Sequence, residues 1–145
     1  MEVRIKKLDP RAKTPLRGSK DAAGADLYAL LDAPLVFAPH ETHMVPTGLA
    51  LEIPEGYAGL IFARSSLGSK RGLAPANKVG VIDPDYRGQV MVALHNHTEE
   101  TQTVDPGERI AQLVIVPFLT AEFTVADELE DTARGDGGFG STGKK

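Results

Sequence analysis

The chain has 145 residues, enough for one compact domain with a core that needs no covalent cross-links. Its formal net charge of -4 argues against a general attraction to nucleic acid, so any phosphate site must be local. The sequence has no cysteine, which excludes disulfides, thiolate metal sites and a cysteine nucleophile. It also lacks an apolar signal segment and an apolar run of membrane-spanning length, so we expect an intracellular, cytoplasmic protein without a membrane partner.

Short strands separated by proline and glycine predict an all-β fold. Residues 1–8 alternate apolar and charged side chains and predict a first strand, and residues 35–39, 42–53 and 57–63 predict further strands. Pro46 indicates a sheet edge or a bulge, because proline cannot donate to a strand ladder. Strands at this spacing are typical of a sandwich, jelly roll or barrel rather than of βαβ units.

Two polar segments each admit two interpretations. Asp26 lies among small residues, where it either caps a turn or helix or marks a close approach of backbone or ligand. Arg64, Ser65 and Ser66 follow the predicted strand at 57–63. They either form an anion cradle, since arginine offers a fork of donors to phosphate oxygens, or end the strand and begin a short helix.

Residues 80–96 predict a β-hairpin whose turn carries functional groups. Val92 and Leu94 belong to an alternating run that predicts the second strand, and Pro84 and Gly88 favour a turn before it. The turn presents four functional side chains within five residues, namely Asp83, Asp85, Tyr86 and Arg87. A turn that only reversed the chain would need none of them, so we predict a chemical role for it.

The C-terminal third adds a polar strand residue and an arm. Gln112 interrupts an apolar strand at 110–118, and its amide is either satisfied in the core or used by a ligand. Residues 1–125 are predicted to form the core domain, and residues 126–145 a flexible, glycine-rich C-terminal arm with one helical turn at 126–133. An unstructured tail is the alternative, but Phe139 within such a polar segment argues against it.

Two other motifs support no prediction. His40 with His43, and His95 with His97, have metal-ligand spacing but no clear third ligand. Residues 135–142 have the glycine content of a P-loop but lack its lysine, its preceding strand and its following helix.

Five segments taken in order resemble the motifs of the trimeric deoxyuridine triphosphatase (dUTPase) family. They lie at residues 23–27, 64–68, 80–88, 107–113 and 134–143, and they span nearly the whole chain. Each motif alone is weakly specific, whereas all five in this order are highly specific. The resemblance implies a jelly-roll-like, distorted β-barrel that forms a homotrimer with shared active sites. One subunit would supply the second and fourth motifs, a neighbour the hairpin, and the third its C-terminal arm.

The resemblance also implies an activity, the hydrolysis of dUTP to dUMP and pyrophosphate. This reaction limits uracil in DNA and supplies dUMP for dTMP synthesis. Asp83 would be the catalytic base that activates a water for attack on the α-phosphorus. Tyr86 would exclude ribonucleotides by crowding a 2′-hydroxyl. Asn77 and the hairpin backbone would read uracil, with Met91 among the substrate-binding residues.

The remaining roles follow from the same resemblance. The α- and β-phosphates would be held by Arg64, Ser65, Ser66 and Gln112. Phe139 would stack on uracil while other arm residues close over the γ-phosphate, namely Arg134, Gly140, Ser141 and Thr142. Asp26 would act indirectly, through water on the metal or by steadying a neighbouring arginine. The cofactor would be Mg²⁺, held by the substrate triphosphate and water without a direct protein ligand.

Two other functions stay open at this level. A dCTP deaminase shares the Arg-Ser-Ser and Ile-Asp-Pro segments, but it needs a glutamate beside the base, and residues 89–94 contain none. A non-catalytic regulatory or capsid-decorating relative would keep the fold and lose the site. The presence of Asp83, Tyr86 and Phe139 argues against that alternative.

Overall fold

The computed structural model describes residues 1–138, and this part of the chain consists mainly of short β-strands and turns. The strands are short because proline and glycine interrupt the apolar and β-branched segments every few residues. Helical structure within these residues is one short turn at Ser66–Lys70. The strands are β1 Arg4–Lys7, β2 Leu16–Arg17, β3 Ala25–Tyr28, β4 Leu35–Phe37, β5 Thr42–Pro46, β6 Leu49–Glu52, β7 Tyr57–Phe62, β8 Leu73–Pro75, β9 Gly80–Ile82, β10 Met91–Asn96, β11 Gln102–Val104 and β12 Arg109–Pro117.

The strands form a jelly-roll-like, distorted barrel of antiparallel sheets, as predicted. The largest sheet has the order β2-β3-β12-β7-β9, and a second sheet has the order β5-β10-β8. Two further pairs, β1 with β6 and β4 with β11, complete the ladders of the described residues. All strand pairings among the described residues are antiparallel, and most of them join strands that are distant in the sequence.

One hydrophobic core lies between the sheets. Burial alternates along β10: Val92, Leu94 and Asn96 are buried, and the residues between them face outward. Asn96 is satisfied there: its amide nitrogen donates to the carbonyl oxygen of Glu100 at 2.7 Å, and its side-chain oxygen accepts from the Thr98 hydroxyl at 2.8 Å. The large fully buried side chains include Leu27, Phe37, Val45, Leu49, Leu73, Leu94 and Ile110.

The predicted strand at 42–53 is two strands in different sheets. β5 and β6 are separated at Thr47 and Gly48, and Gly48 has a φ of 70°, a left-handed value that favours glycine. The Thr47 hydroxyl is buried and donates to the carbonyl oxygen of Val90 at 2.7 Å, which ties this corner to the segment before β10. β5 is an edge strand that ends at Pro46, so the prediction of a sheet edge at Pro46 is confirmed.

The predicted hairpin at 80–96 is also different in the structure. β9 pairs with β7, whereas β10 pairs with β5 and β8, so the two strands do not pair with each other. The turn at 83–90 therefore crosses from one sheet to the other. Alternation along a strand predicts that a strand forms, but it does not identify the partner.

Residues 118–138 follow β12 without another strand or helix. The helical turn predicted at 126–133 is wrong, because so short and acidic a segment has no apolar face to bury. Four apolar side chains of this segment are nearly fully exposed, namely Leu119, Phe123, Val125 and Leu129. Within residues 1–138 no helix has the length and hydrophobicity needed to cross a membrane.

Candidate active site

Asp26 lies on β3 and holds two arginines, so the turn-capping interpretation is wrong. Its Oδ1 accepts from Arg64 Nε at 2.7 Å, and its Oδ2 accepts from Arg109 Nη1 at 3.2 Å. The side chains of Asp26 and Arg64 are 15% and 19% exposed, so water screens this ion pair only partly. Steadying a neighbouring arginine was one of the two roles expected for Asp26, and this contact has that geometry.

Arg64, Ser65 and Ser66, which follow β7, both begin a short helical turn and form part of a candidate anion cradle. Ser66 begins the helical turn at Ser66–Lys70, and Gly68 N donates to the carbonyl oxygen of Arg64 at 2.8 Å. Arg64 Nη1 lies 3.3 Å from the Ser66 hydroxyl, so arginine and serine converge. Ser65 is exposed and makes no side-chain cap hydrogen bond to the turn. A fixed, largely buried guanidinium therefore lies beside the exposed Ser66, with exposed Ser65 next to it in the chain, an arrangement suited to phosphate oxygens.

Gln112 belongs to the same group. In the sheet it stands opposite Asp26 on β3 and opposite Phe62 on β7. Its amide nitrogen donates to the carbonyl oxygen of Ala63 at 2.9 Å. Its amide oxygen lies against Gly24, where an added Cβ would come within 2.4 Å of it. The amide is thus satisfied by the backbone and held at the edge of the cluster. We call the group Asp26, Arg64, Ser66, Arg109 and Gln112 the phosphate-side cluster.

A separate pocket of about 310 Å³, which we call the Asp83 pocket, lies beside the turn at 83–90. Asp83 and Tyr86 contribute to it from the turn, and Asn77 and Met91 contribute from either side. All four were predicted as site residues, Asp83 as the catalytic base and the others as substrate-binding residues, and the structure brings them together. Asp83 itself is exposed at the end of β9.

Tyr86 has a defined position within this turn. Its hydroxyl donates to the carbonyl oxygen of Gln89 at 3.0 Å, and its ring folds across Gly88. A Cβ added at Gly88 would lie 2.4 Å from the Tyr86 hydroxyl oxygen, so only glycine leaves room for this rotamer. Tyr86 as a whole is 46% exposed, and a ligand can therefore contact it.

A larger, open groove of about 880 Å³ borders the other side of the turn. Its charged lining consists of Glu2, Arg4, Glu52, Glu55, Asp83, Asp85 and Arg87. Acidic side chains outnumber basic ones in it, so in the isolated chain this groove is a poor site for a triphosphate.

Asp83 and Arg64 lie far apart within one chain. Ile82 pairs with Gly59 on β7, so Asp83 stands beside Ala58, six residues before Arg64. At about 3.3 Å per residue the two groups are separated by roughly 20 Å along β7. None of the phosphate-side residues lines the pocket. One chain alone therefore does not bring Asp83 and Arg64 to a single phosphorus atom.

The C-terminal arm is only partly described. Arg134 is exposed in a turn, where its Nε donates to the carbonyl oxygen of Gly137 at 2.7 Å. The predicted arm residues Phe139, Gly140, Ser141 and Thr142 lie outside the described residues.

Three histidines outside the predicted site form a small cluster. The rings of His95 and His97 are 4.4 Å apart between centroids, and those of His40 and His95 are 6.5 Å apart. Desolvation lowers the pKa of His97 although much of its surface is exposed, and the nearby charges of His95, Lys78 and His40 lower this pKa further. Among residues 1–138 no group of three carboxylate or imidazole side chains has the arrangement of a metal site.

Sequence reasoning missed several contributions to the site. Met44, Ile61 and Val81 line the pocket from three different strands, and no local pattern marks them. Arg71 donates to Glu108 and to the carbonyl oxygen of Thr103, which anchors the helical turn to the loop before β12. Arg109 lies within one of the quoted motifs, but nothing in the sequence indicated its contact with Asp26.

Comparison with known proteins identifies the family. A sequence model of the dUTPase family matches residues 10–143, nearly the whole chain. The chain belongs to the dUTPase family. It is 50% identical over 147 residues to the "Deoxyuridine 5'-triphosphate nucleotidohydrolase" of Paraburkholderia phymatum, with 99% of each chain covered. This membership confirms the prediction of a nucleotide-hydrolysing enzyme family.

Solved dUTPase structures share the fold. A variant dUTPase of Staphylococcus bacteriophage 80alpha with dUpNHpp is similar with a TM-score of 0.89, 32% identity and 98% of both chains covered. A variant dUTPase from phage phi11 of S. aureus has a TM-score of 0.81 and 28% identity, covering 90% of this chain and 100% of the other. The latter is described as revealing the coordination of a structural Mg(II) ion.

Proposed function

We propose that this member of the dUTPase family hydrolyses dUTP to dUMP and pyrophosphate, through attack of water on the α-phosphorus. In the cell this reaction limits uracil in DNA and supplies dUMP for dTMP synthesis. The main structural support is the presence of two different surfaces. One surface holds a fixed arginine with hydroxyls, and the other holds a carboxylate beside a base-sized pocket. Triphosphate binding and water activation need these two kinds of site.

Asp83 acts as the general base. Its carboxylate follows β9 directly, and Pro84 restricts it to an extended backbone, so the acid projects from the end of a rigid strand. Tyr86 and Asp83 line the same pocket, which places the group proposed to contact the sugar near the group proposed to activate water. Asp83 takes a proton from water as the oxygen bonds to the α-phosphorus and the bond to the β-phosphate oxygen breaks.

The pocket supports selection of deoxyuridine. The Tyr86 ring, fixed by Gly88 and by its hydrogen bond to Gln89, presents a flat face that a 2′-hydroxyl would meet. Asn77 and Met91 border the space for the base. The described lining contains no glutamate, and a dCTP deaminase would need one to move protons at the exocyclic amine. The deaminase alternative is therefore disfavoured.

Arg64, Ser66 and Gln112 of the phosphate-side cluster bind the α- and β-phosphates together with Ser65. Arg64 is oriented by Asp26 through Nε, which leaves its Nη1 beside the Ser66 hydroxyl. The C-terminal arm, residues 126–145, closes over the γ-phosphate through Arg134, Ser141 and Thr142 while Phe139 stacks on uracil. Closure excludes water and aligns the triphosphate for attack.

The carboxylate oxygens near the phosphate side of the site fit a magnesium ion that is held mainly by the substrate. Magnesium is commonly bound by one or two carboxylates together with phosphate oxygens and water. Both oxygens of Asp26 already bind arginines, which leaves this carboxylate to act through water. When bound, Mg²⁺ would neutralise charge that develops on the phosphates.

In a homotrimer with shared active sites, Asp83 of one subunit would lie close to Arg64 of another. The roughly 20 Å between Asp83 and Arg64 within one chain, which follows from the strand spacing, supports a site that a second subunit completes. Leu119, Phe123 and Val125 are almost fully exposed in the single chain, and large apolar side chains in this state suit contact with another copy. Light scattering should give about three times the chain mass of 15.5 kDa.

A nucleotide panel tests the proposal. Purified protein with Mg²⁺ is assayed for pyrophosphate release from dUTP, dTTP, dCTP and UTP, and for ammonia release from dCTP. We expect turnover of dUTP above the others. Asp83→Asn should bind a non-hydrolysable dUTP analogue normally and lose at least about 10²-fold in rate, the scale of a general base. Asp85→Asn, two residues away in the same turn, is the matched control. Near-normal turnover by Asp83→Asn would refute the role of Asp83, and ammonia release would favour the deaminase.

A further inference from the structure

A β-bulge near the start of β12 places Arg109 on the phosphate side of the sheet. Arg109 pairs with Tyr28, and Ala111 pairs with Leu27, so β12 carries one extra residue at this point. Ile110 and Ala111 are consecutive and both fully buried, whereas a regular strand would direct one of them outward. Bulges of this kind redirect side chains, and they are frequent beside active sites.

The redirected side chain reaches Asp26. Tyr28 and Asp26 are two residues apart on β3, so their side chains share a face, and Arg109 opposite Tyr28 joins that face. Arg109 Nη1 then donates to Asp26 Oδ2 at 3.2 Å. Without the extra residue, Ile110 would stand opposite Tyr28 and Arg109 would face the core. The bulge is therefore the structural cause of this contact.

The contact changes the charge of the cluster. Asp26 paired with Arg64 alone is neutral, and a neutral pair attracts a triphosphate weakly. Arg109 brings the three groups to a net charge of +1 while occupying the second carboxylate oxygen. With Asp26 held from both sides, Arg64 keeps Nη1 near Ser66, and its Nη2 has no hydrogen-bond partner among residues 1–138.

We infer that Arg109 is a positioning residue for the phosphate end of the substrate, acting through Asp26 on Arg64. This inference rests on the proposed function. It predicts that removal of Arg109 weakens binding in proportion to the phosphate content of the ligand, because the base and sugar lie in the separate Asp83 pocket. A residue that only stabilised the fold would weaken binding of every ligand equally.

The test measures binding of dUMP, dUDP and α,β-imido-dUTP with Mg²⁺ by calorimetry. Arg109→Gln should weaken binding of the imido-triphosphate by about 10-fold, the scale of one charge-assisted hydrogen bond, and weaken binding of dUMP, which carries only the α-phosphate, much less. Arg109→Lys should restore part of the loss, since it keeps the charge but not the fork. Lys6→Gln removes one positive charge from exposed β1 and should leave all three ligands unchanged.

A double-mutant cycle tests the route through Asp26. If Arg109 acts through this carboxylate, adding Arg109→Gln to Asp26→Asn should cost much less than Arg109→Gln costs in the wild type. Full additivity would overturn the inference, as would wild-type affinity of Arg109→Gln for the imido-triphosphate or an equal loss for dUMP. Thermal melts of Arg109→Gln and Arg109→Lys verify folding. A wild-type protein that binds no dUTP analogue would instead refute the proposed function, and the inference would fall with it.

Discussion

Gly24→Ala should displace Gln112 and damage the phosphate-side cluster without adding any charge or polar group. A Cβ at this position would lie 2.4 Å from the Gln112 amide oxygen and 3.2 Å from both its Cβ and its Cδ. Gln112 must then move and lose its 2.9 Å hydrogen bond to the carbonyl oxygen of Ala63. Overpacking costs about 1–3 kcal/mol and a lost hydrogen bond about 1 kcal/mol, so we expect unfolding free energy to fall by about 2–4 kcal/mol.

The assay is urea unfolding at one fixed protein concentration, because assembly would make stability depend on concentration. Gly18→Ala is the matched control: a Cβ there meets no atom within 4 Å, so it should be neutral or slightly stabilising. In a Gln112→Ala background the cost of Gly24→Ala should shrink, since the clashing amide is gone. If Gly24→Ala were as stable as Gly18→Ala, or if Gln112→Ala gave no relief, this reasoning would be refuted.

Three further predictions concern the sugar, the arm and pH. Gly88→Ala should push the Tyr86 ring from its position, because the new Cβ would lie 2.4 Å from the tyrosine oxygen. The UTP/dUTP turnover ratio should therefore rise in Gly88→Ala, and also in Tyr86→Ala, which removes the ring. Truncation after Val125 should leave the thermal melt nearly unchanged, because residues 126–136 are exposed, but it should cut dUTP turnover at least about 10²-fold. The lowered pKa of His97 means that the unfolded chain binds a proton there more readily than the folded chain. Stability should therefore drop as pH falls through about 6.5, and His97→Gln should reduce this drop.

Each of these predictions has an outcome that contradicts it. An unchanged UTP/dUTP ratio in both Gly88→Ala and Tyr86→Ala would show that the tyrosine does not select the sugar. A truncated protein with full activity would make the arm a tail without a catalytic role. A stability profile of His97→Gln that matches the wild type between about pH 7 and pH 5.5 would show that its titration is not coupled to folding.

Much of the fold could be predicted from local patterns. Alternation in β10 and the proline and glycine turns predicted strands close to the observed positions, since side-chain direction in a strand repeats every two residues. Which strands pair with each other could not be predicted from the same patterns. The chain at 42–53 divides between two sheets at Gly48, and the turn after β9 joins different sheets. Pairing depends on contacts between segments distant in sequence, which a local pattern does not record.

The sequence by itself determined the all-β class, the family and the identity of the candidate acid, cations and hydroxyls, because these depend on residue types in a fixed order. Only the tertiary structure decided how those groups are held. It placed Asp26 between Arg64 and Arg109, packed Gln112 on Gly24 and folded Tyr86 over Gly88. It also separated Asp83 from Arg64 along β7. These relations arise from strand register and one bulge, and register is a property of paired strands that no single segment of sequence contains.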